Sequence, residues 1–254
     1  MGREVVVILP GTVDTSMNIA RYLSDLDIEI RIIPLIKIKI DWDEVESARK
    51  VFSLGFAPNV SVFTSKTAVK IVEKLIPEAW QYAVKHSLAI GPGTASLLKK
   101  LGVENTEHPT EHSSKGLVEL LSRMSGESSL ALYCSKHVSL RLKEFIEQNF
   151  ESSIIFRLYT ILGASKNIEQ LINLIESYPM KTFVIIITCY SILRILAKTG
   201  KFSSPQNVVY SVLSSRLLEE ASRLKFHIHH GFPVNSIETY YDNLRNYIRE
   251  LLTS

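Results

Sequence analysis

Two stretches in the first half of the chain put hydroxyl residues where backbone donors should gather. Val60–Ser61–Val62–Phe63 is followed by Thr64–Ser65, then by apolar residues at three- and four-residue spacing over Lys66–Leu75. Leu88–Ala89–Ile90 is followed by Gly91–Pro92–Gly93–Thr94, then by a similar pattern over Ala95–Leu101 that stops at Gly102. A hydrophobic period that changes from two to 3.6 marks a strand that turns into a helix. Ser and Thr at the change are N-cap residues. A helix N-terminus carries N–H groups without acceptors and a partial positive charge, which is the chemistry of a carboxylate or phosphate cradle. Each turn taken singly is also an ordinary cap that stabilises its helix by about 1 kcal/mol. The argument for function is their number.

Other chemistries find less support. Gly91–Pro92–Gly93 starts like a dinucleotide fingerprint, but Ser96 stands at the third glycine position and Pro92 has no N–H for a pyrophosphate. No GxxxxGK[ST], GxSxG, HExxH or CxxC pattern occurs, so the sequence offers no motif for nucleotide hydrolysis, a serine hydrolase or a classical zinc site. His227, His229 and His230 form a cluster. On a strand the first two would share a face, but no further ligands stand at suitable spacing, and the group reads as surface or strand-end histidines. Cys134 and Cys189, both inside apolar runs, read as reduced thiols of a cytoplasmic protein. A net charge of +3 with acidic and basic residues interspersed argues against a nucleic-acid partner. The longest apolar run, Phe183–Leu196, includes Arg194 and is shorter than the ~20 residues of a membrane helix. The N-terminal Val5–Leu9 is too short for a signal-peptide core and reads as a strand.

The elements that must position these turns follow in a regular order. Val5–Leu9 is a buried strand and Ser16–Leu26 a helix; Ile28–Ile33 is a second strand. Leu35–Ile40 alternates strictly and reads as a half-exposed connector, followed by a helix over Asp41–Leu54. After the two units above come a loop at Glu107–Pro109, a helix Lys115–Met124 capped by Ser113–Ser114, a strand Ser129–Cys134 and a helix Val138–Asn149. Ile154–Ile161 is a long strand suited to a return connection. The remainder alternates: helix Ile168–Ser177, strand Thr182–Thr188, helix Ser191–Lys198, strand Val208–Leu213, helix Ser215–Leu224, strand Phe226–His230 and helix Ser236–Leu252. Strands that alternate with helices imply parallel α/β sheets, and there are too many units for one five-stranded sheet. The expected organisation is two similar α/β domains. Residues 1–35 and 162–254 form a discontinuous first domain, 36–40 and 154–161 form connector strands, and 41–153 form the second domain. An internal echo supports the pairing, with Thr64–Ser65 matched by Thr188–Cys189, the Gly91–Thr94 turn by Leu213–Arg216, and Ser113–Ser114 by Asn235–Ser236. In parallel sheets such turns face one edge, where ligands bind. Two domains facing each other would line a cleft with donors suited to a ligand carrying many carboxylates.

The ordered set of short motifs resembles the uroporphyrinogen-III synthase family nearly end to end. The matching residues are Pro34–Leu35–Ile36, Phe63–Thr64–Ser65–Lys66–Thr67–Ala68–Val69, Ile90–Gly91–Pro92–Gly93–Thr94–Ala95, Ser114–Lys115–Gly116–Leu117 with Leu120–Leu121, Leu158–Tyr159–Thr160, and Pro233 followed by Ser236–Ile237. The chain departs from the family pattern in having Leu9–Pro10 where Arg–Pro is common. It lacks a glycine in Ser135–Lys136–His137, and Gly and Thr in Leu213–Ser214–Ser215–Arg216.

The resemblance implies flavodoxin-like or similar domains joined by two strands. It also implies a monomeric, cofactor-independent lyase with no metal and no nucleic-acid or membrane partner. The reaction would convert hydroxymethylbilane into uroporphyrinogen III, inverting ring D and losing water. Loss of the hydroxyl gives an azafulvene cation because the pyrrole nitrogen supplies the electrons, and a spiro intermediate lets ring D turn over. The protein must hold a flexible chain in a productive shape and keep water from the cation. Thr64, Ser65, Gly91 and Thr94 are the candidate carboxylate contacts, mainly through backbone N–H, with Thr188 and Ser214 from the other domain. Tyr159 matches the tyrosine of the family motif and is implied as the principal catalytic side chain. On the residues alone it reads as an aromatic packed on a half-buried strand. Two other readings share the fold logic: a non-catalytic two-domain binder of a small carboxylate or other solute, and a phosphosugar transferase that uses the helix N-termini for phosphate.

Overall fold

The computed structural model describes residues 4–124, 129–200, 207–212, 214–231 and 237–253. The chain divides into two compact units, Met1–Lys37 with Ile161–Ser254, and Ile38–Thr160. In chain order the elements are β1 (Val5–Leu9), α1 (Val13–Tyr22), β2 (Glu29–Ile32), β3 (Ile36–Ile40), α2 (Trp42–Ser53), β4 (Val60–Phe63), α3 (Lys66–Leu75), α4 (Pro77–Ala83), β5 (His86–Ala89), α5 (Pro92–Lys100), β6 (Asn105–Glu107) and α6 (Ser114–Leu121). There follow β7 (Leu130–Ser135), α7 (Leu140–Asn149), β8 (Ser153–Gly163), α8 (Ser165–Ser177), β9 (Thr182–Ile187), α9 (Tyr190–Thr199), β10 (Val208–Val212), α10 (Ser215–Arg223), β11 (His230–Gly231) and α11 (Ile237–Thr253). Among the described residues no helix is long and apolar enough to cross a membrane.

The first unit holds a parallel sheet in the order β2-β1-β9-β10-β11. Counted within the unit this is 2-1-3-4-5, the flavodoxin-like order. Its central strands are apolar on both faces because helices cover both. Val6, Ile8, Phe183 and Ile185 pack on one face with Leu171, Ile192 and Leu217; Val5, Val7, Val184 and Ile186 pack on the other with Ile19, Tyr240 and Leu244.

The sheet of the second unit has the order β3-β8-β7-β4-β5-β6. Its parallel strands, counted from β4, run 3-2-1-4-5 when placed by their pairings as β6-β5-β4-β7-β8, so the two units differ in strand order despite their similar local patterns. The edge strand β3 runs against β8. Ala164 N–H bonds to Leu35 O and Asp41 N–H to Leu158 O, so partner numbers fall as chain numbers rise. One face of this sheet is aliphatic, with Val60, Val62, Leu130, Leu132 and Cys134 under Leu117, Leu121 and Ile146. The other face carries an aromatic ladder in which Phe63 stacks on Tyr133 at 4.9 Å and Tyr133 on Phe156 at 5.7 Å. Burial pushes the Cys134 thiol up to about 12, so it stays protonated and behaves as a small apolar residue.

The ladder fixes which way β8 faces, and then the register slips. Tyr133 pairs with Phe156 and Cys134 with Arg157, but Ser135 pairs with Tyr159. Leu158 is the extra residue of a β-bulge. Under strict alternation Tyr159 would share the face of Arg157. The bulge turns Tyr159 to the face of Phe63 and Tyr133 instead. The distorted segment is bonded on both sides. Asp41 N–H donates to Leu158 O at 2.9 Å and Lys136 N–H to Tyr159 O at 2.8 Å. The side chains of the same two residues, Asp41 and Lys136, form an ion pair at 2.6 Å. Arg157 N–H donates to Glu44 Oε2 at 3.0 Å.

Several elements depart from the sequence pattern. The helix α1 starts at Val13 rather than Ser16. The short helix α4 was hidden in Pro77–Ala83, where Pro occupies the first helical turn. The strand β6 lies in polar Asn105–Glu107 at the sheet edge, and a polar edge strand has no apolar signature. Phe226–His229 is not a strand; among the described residues only His230–Gly231 pair here, with Ser211 and Val212. Leu213, Pro233 and Asn235–Ser236 lie outside the described residues.

Two stability outcomes are expected. A Cβ on Gly116 would stand 2.0 Å from Glu111 O and 2.9 Å from Pro109 Cβ. Gly116→Ala should therefore destabilise the second unit by about 1–3 kcal/mol or more, and an unchanged thermal melt would refute the crowding. The Lys136 ammonium beside Asp41 holds its carboxyl below the usual range, with a contribution from the Glu44 N–H. A depressed pKa stabilises above the ordinary carboxylate pKa of about 3.9 and is lost as pH falls through the folded value. Asp41→Asn keeps a capping side chain for α2, so it should melt below the parent at neutral pH, with the gap closing under acid. A gap that persists unchanged at the lowest pH at which both fold would assign the loss to something other than the charge.

Candidate functional site

In doubly wound sheets ligands sit outside the carboxyl ends of the strands, where the chain order reverses. In the second unit that point lies between β4 and β5 on one side and β7 on the other, at the carboxyl end of β4. The residues that follow β4 and β7 are Thr64–Ser65 and Lys136, and the bulge brings Tyr159 to the same edge.

Ser65 caps α3, its Oγ accepting the Ala68 N–H at 3.0 Å. The same Oγ lies 2.7 Å from the Tyr159 hydroxyl. Tyr159 is 4% exposed, so its ring is packed and its phenol is held by a partner rather than free to swing. The Thr64 donors turn inward: its N–H and its hydroxyl both go to Tyr133 O, at 3.2 and 3.3 Å. Thr64 therefore shapes the turn, and the helix N–H groups of α3 without an intrahelical acceptor are the donors at this edge.

The second turn differs from the sequence expectation. Proline is preorganised for the first helical position, so α5 begins at Pro92 and Gly91 is the N-cap. Thr94 lies inside the first turn of the helix and is buried. The N–H groups of Thr94 and Ala95 both bond to Gly91 O, at 3.1 and 3.0 Å. With Pro92 lacking an N–H, α5 presents fewer donors than α3. What the two glycines supply is room for the side chains of His112 and Lys66. A Cβ on Gly91 would meet His112 Cβ at 3.0 Å, and one on Gly93 would meet Lys66 Cε at 3.1 Å and Nζ at 3.3 Å. His112 in turn lies edge-on to His108, with ring centroids 5.5 Å apart. Sequence reasoning missed Lys66, His112, Lys136 and Asp41, because their placement depends on glycines and strand pairings far away in the chain. The one available signal was Lys66 directly after the cap. A shallow depression of about 410 Å³, lined by Pro92, Ala95, Ser96, Lys99, Lys100 and His108, lies on the flank of α5 and shares no residue with the Ser65–Tyr159 pair.

In the first unit the reversal lies between β1 and β9. Thr188 follows β9 and its Oγ1 would stand 3.2 Å from a Cβ on Gly11, while Ser16 Oγ donates to Leu9 O at 3.3 Å. The N-cap of α9 is Cys189, which makes no side-chain cap bond. Ser214 caps α10 by accepting the Leu217 N–H at 3.3 Å. The histidines sit apart from these turns. His227 and His229 lie edge-on at 4.6 Å, and His229 Nδ1 accepts the Tyr210 N–H at 3.2 Å. Burial, then the neighbouring histidines, lowers the His229 pKa; burial likewise lowers that of His230, which stacks on Tyr247. Among the described residues no three His, Cys, Asp or Glu gather as a metal-binding group.

The comparisons agree with this architecture. The chain is similar to a mutant uroporphyrinogen III synthase from the extremely thermophilic bacterium Thermus thermophilus, at 12% identity over 97% of this chain and 99% of the other, with a TM-score of 0.63. It is also similar to uroporphyrinogen-III synthetase from Helicobacter pylori, at 14% identity over 97% and 100% of the two chains, with a TM-score of 0.57. At such identities the likeness is one of fold. Among curated proteins none matches at a significant level. The family model of uroporphyrinogen-III synthase HemD matches residues 18–238, and the chain therefore belongs to the uroporphyrinogen-III synthase HemD family.

Proposed function

We propose that this protein is a cofactor-independent uroporphyrinogen-III synthase that takes hydroxymethylbilane as substrate, and that Tyr159 is its proton donor. The observation that carries the catalytic assignment is the buried phenol held 2.7 Å from Ser65 at the strand edge where the sheet order reverses. A phenol with an ordinary pKa of about 10 is protonated at neutral pH. Tyr159 gives its proton to the hydroxymethyl oxygen of the substrate, the carbon–oxygen bond breaks, and water leaves. The pyrrole nitrogen supplies the electron pair, forming the azafulvene cation. Ring D attacks to give a spiro centre, reopens and closes in the inverted sense. The proton released at that final closure restores the phenol.

The backbone N–H groups of Ser65 and the start of α3 and the edge formed by Gly91 and Thr94 support carboxylate binding, with Lys66 adding positive charge beside Gly93 and His112 packed beside Gly91. Thr188 and Ser214 are proposed as the contacts of the first unit, at the matching ends of its own strands. The protein acts as a cytoplasmic monomer without nucleic acid or membrane, a reading supported by its composition and near-neutral charge.

Incubation with hydroxymethylbilane followed by isomer analysis tests the reaction. The enzyme should give isomer III, whereas a binder that leaves the substrate unchanged would leave only the spontaneous isomer I. Tyr159→Phe should lower kcat by about 10²–10⁴-fold, with a smaller change in KM, and retain some activity from positioning. Isomer III formed at the parental rate by a folded Tyr159→Phe protein would return Tyr159 to a packing role.

A further inference from the structure

Ser65 Oγ is engaged from two sides. It accepts the Ala68 N–H at 3.0 Å and lies 2.7 Å from the Tyr159 oxygen, a residue 94 positions away in the chain. A serine hydroxyl has one proton and two acceptor lone pairs. The Ala68 N–H takes one lone pair, which leaves the proton and the other lone pair for the phenol. If Tyr159 donates to Ser65, its proton is committed to the protein. If Ser65 donates to Tyr159, the phenol proton is not committed to Ser65.

We infer that Ser65 is a positioning residue that acts on the reaction through Tyr159, donating its O–H to the phenol oxygen. The inference rests on the reading of Tyr159 as proton donor. The donors then run in one direction, from Ala68 N–H to Ser65 O–H to Tyr159 O–H. Each bond polarises the next, and the series begins at the positive end of α3. When Tyr159 hands its proton to the departing hydroxyl, the phenolate left behind already has a hydrogen-bond donor in place, which favours the charged form. The step balances: the carbon–oxygen electron pair leaves with the oxygen, that oxygen takes the phenol proton and departs as water, and the nitrogen pair fills the vacancy at carbon. The Ser65 proton stays on Ser65 throughout. The side chain of Ser65 is thus a tuner of the acid, and contact with substrate at this residue falls to its backbone.

A double-mutant cycle on the full chain, with product isomers and melting curves measured for every variant, separates this role from its rivals. Ser65→Ala should lower kcat by about 10- to 100-fold with little change in KM, and should move the basic limb of the kcat–pH profile to higher pH. In a Tyr159→Phe background the same substitution should cost less than about twofold. Ser65→Thr keeps a donating hydroxyl and should restore most of the rate. Ser65→Asp keeps a capping acceptor but has no proton to donate, and should stay slow while melting like the parent. Equal losses in the two backgrounds, a change confined to KM, or full rescue by Asp would overturn the inference and leave Ser65 as a helix cap or a substrate contact. Parental kcat in Tyr159→Phe would instead overturn the underlying reading of the acid, whatever Ser65→Ala does.

Discussion

A single surplus residue in β8 governs the geometry of the candidate site. Side chains on a strand alternate, so a shift of one residue moves each following side chain to the other face. The Phe63–Tyr133–Phe156 ladder fixes the facing of β8 before the shift, and Leu158 is the residue left unpaired in it. Without the bulge the Tyr159 phenol would point towards the aliphatic side under α6 and α7, where a hydroxyl has no evident partner. With it, the phenol meets the cap of α3. The Asp41–Lys136 ion pair spans the distorted strand, because the backbones of the same two residues bond to the carbonyls of Leu158 and Tyr159. Such surface pairs add little stability on average. Here the pair lies across the irregularity, and its two residues bond the bulged carbonyls through their backbones.

The sequence was most readable where local signals agree. Over Val60–Leu75 the apolar strand, the capping serine and the amphipathic helix all point to one structure, and β4 and α3 occupy the expected residues. It was least readable where local signals compete or where the cause is distant. At Gly91–Thr94 the hydroxyl suggested a cap, but the preference of proline for the first helical turn placed Thr94 inside α5. Polar β6 pairs only at an edge, and an edge strand needs no apolar face. The alternation in Phe226–His230 mimicked a strand that extends only over His230–Gly231 among the described residues. The bulge itself has no local signature. It follows from how Ser135 and Tyr159 pair across the sheet, and so Tyr159 could be named from a motif while its contact with Ser65 could not.

The chemistry at this edge is dominated by donors. Capped and uncapped N–H groups, the Lys66 ammonium laid over Gly93 and a phenol contribute hydrogen or positive charge. The nearby carboxylate of Asp41 is committed to Lys136, which keeps it ionised and occupied. This balance suits a reaction in which an uncharged acid must assist departure of a hydroxyl and a cation then forms nearby. An unpaired carboxylate close to that cation could capture it or stabilise an unproductive orientation. In the proposed mechanism the phenol supplies the proton and its negative charge is left on a group already bonded to the protein.

The likeness between Thr64–Ser65 and Thr188–Cys189 now has a physical explanation other than repetition of one domain. The strand orders of the two sheets differ, β2-β1-β9-β10-β11 in one against β8-β7-β4-β5-β6 for the parallel strands of the other. Yet β4 and β9 occupy equivalent positions, each central and each buried on both faces. A strand in that position is largely apolar, ends in a turn tight enough to start a helix, and presents small polar groups beyond its carboxyl end. Threonine after such a strand meets the requirement in both units: its Oγ1 bonds to Tyr133 O in one and lies against Gly11 in the other. The second turn residue has diverged, Ser65 making a side-chain cap and Cys189 making none. The capping hydroxyl that meets a phenol is therefore found in the unit where the bulged strand brings a phenol to it.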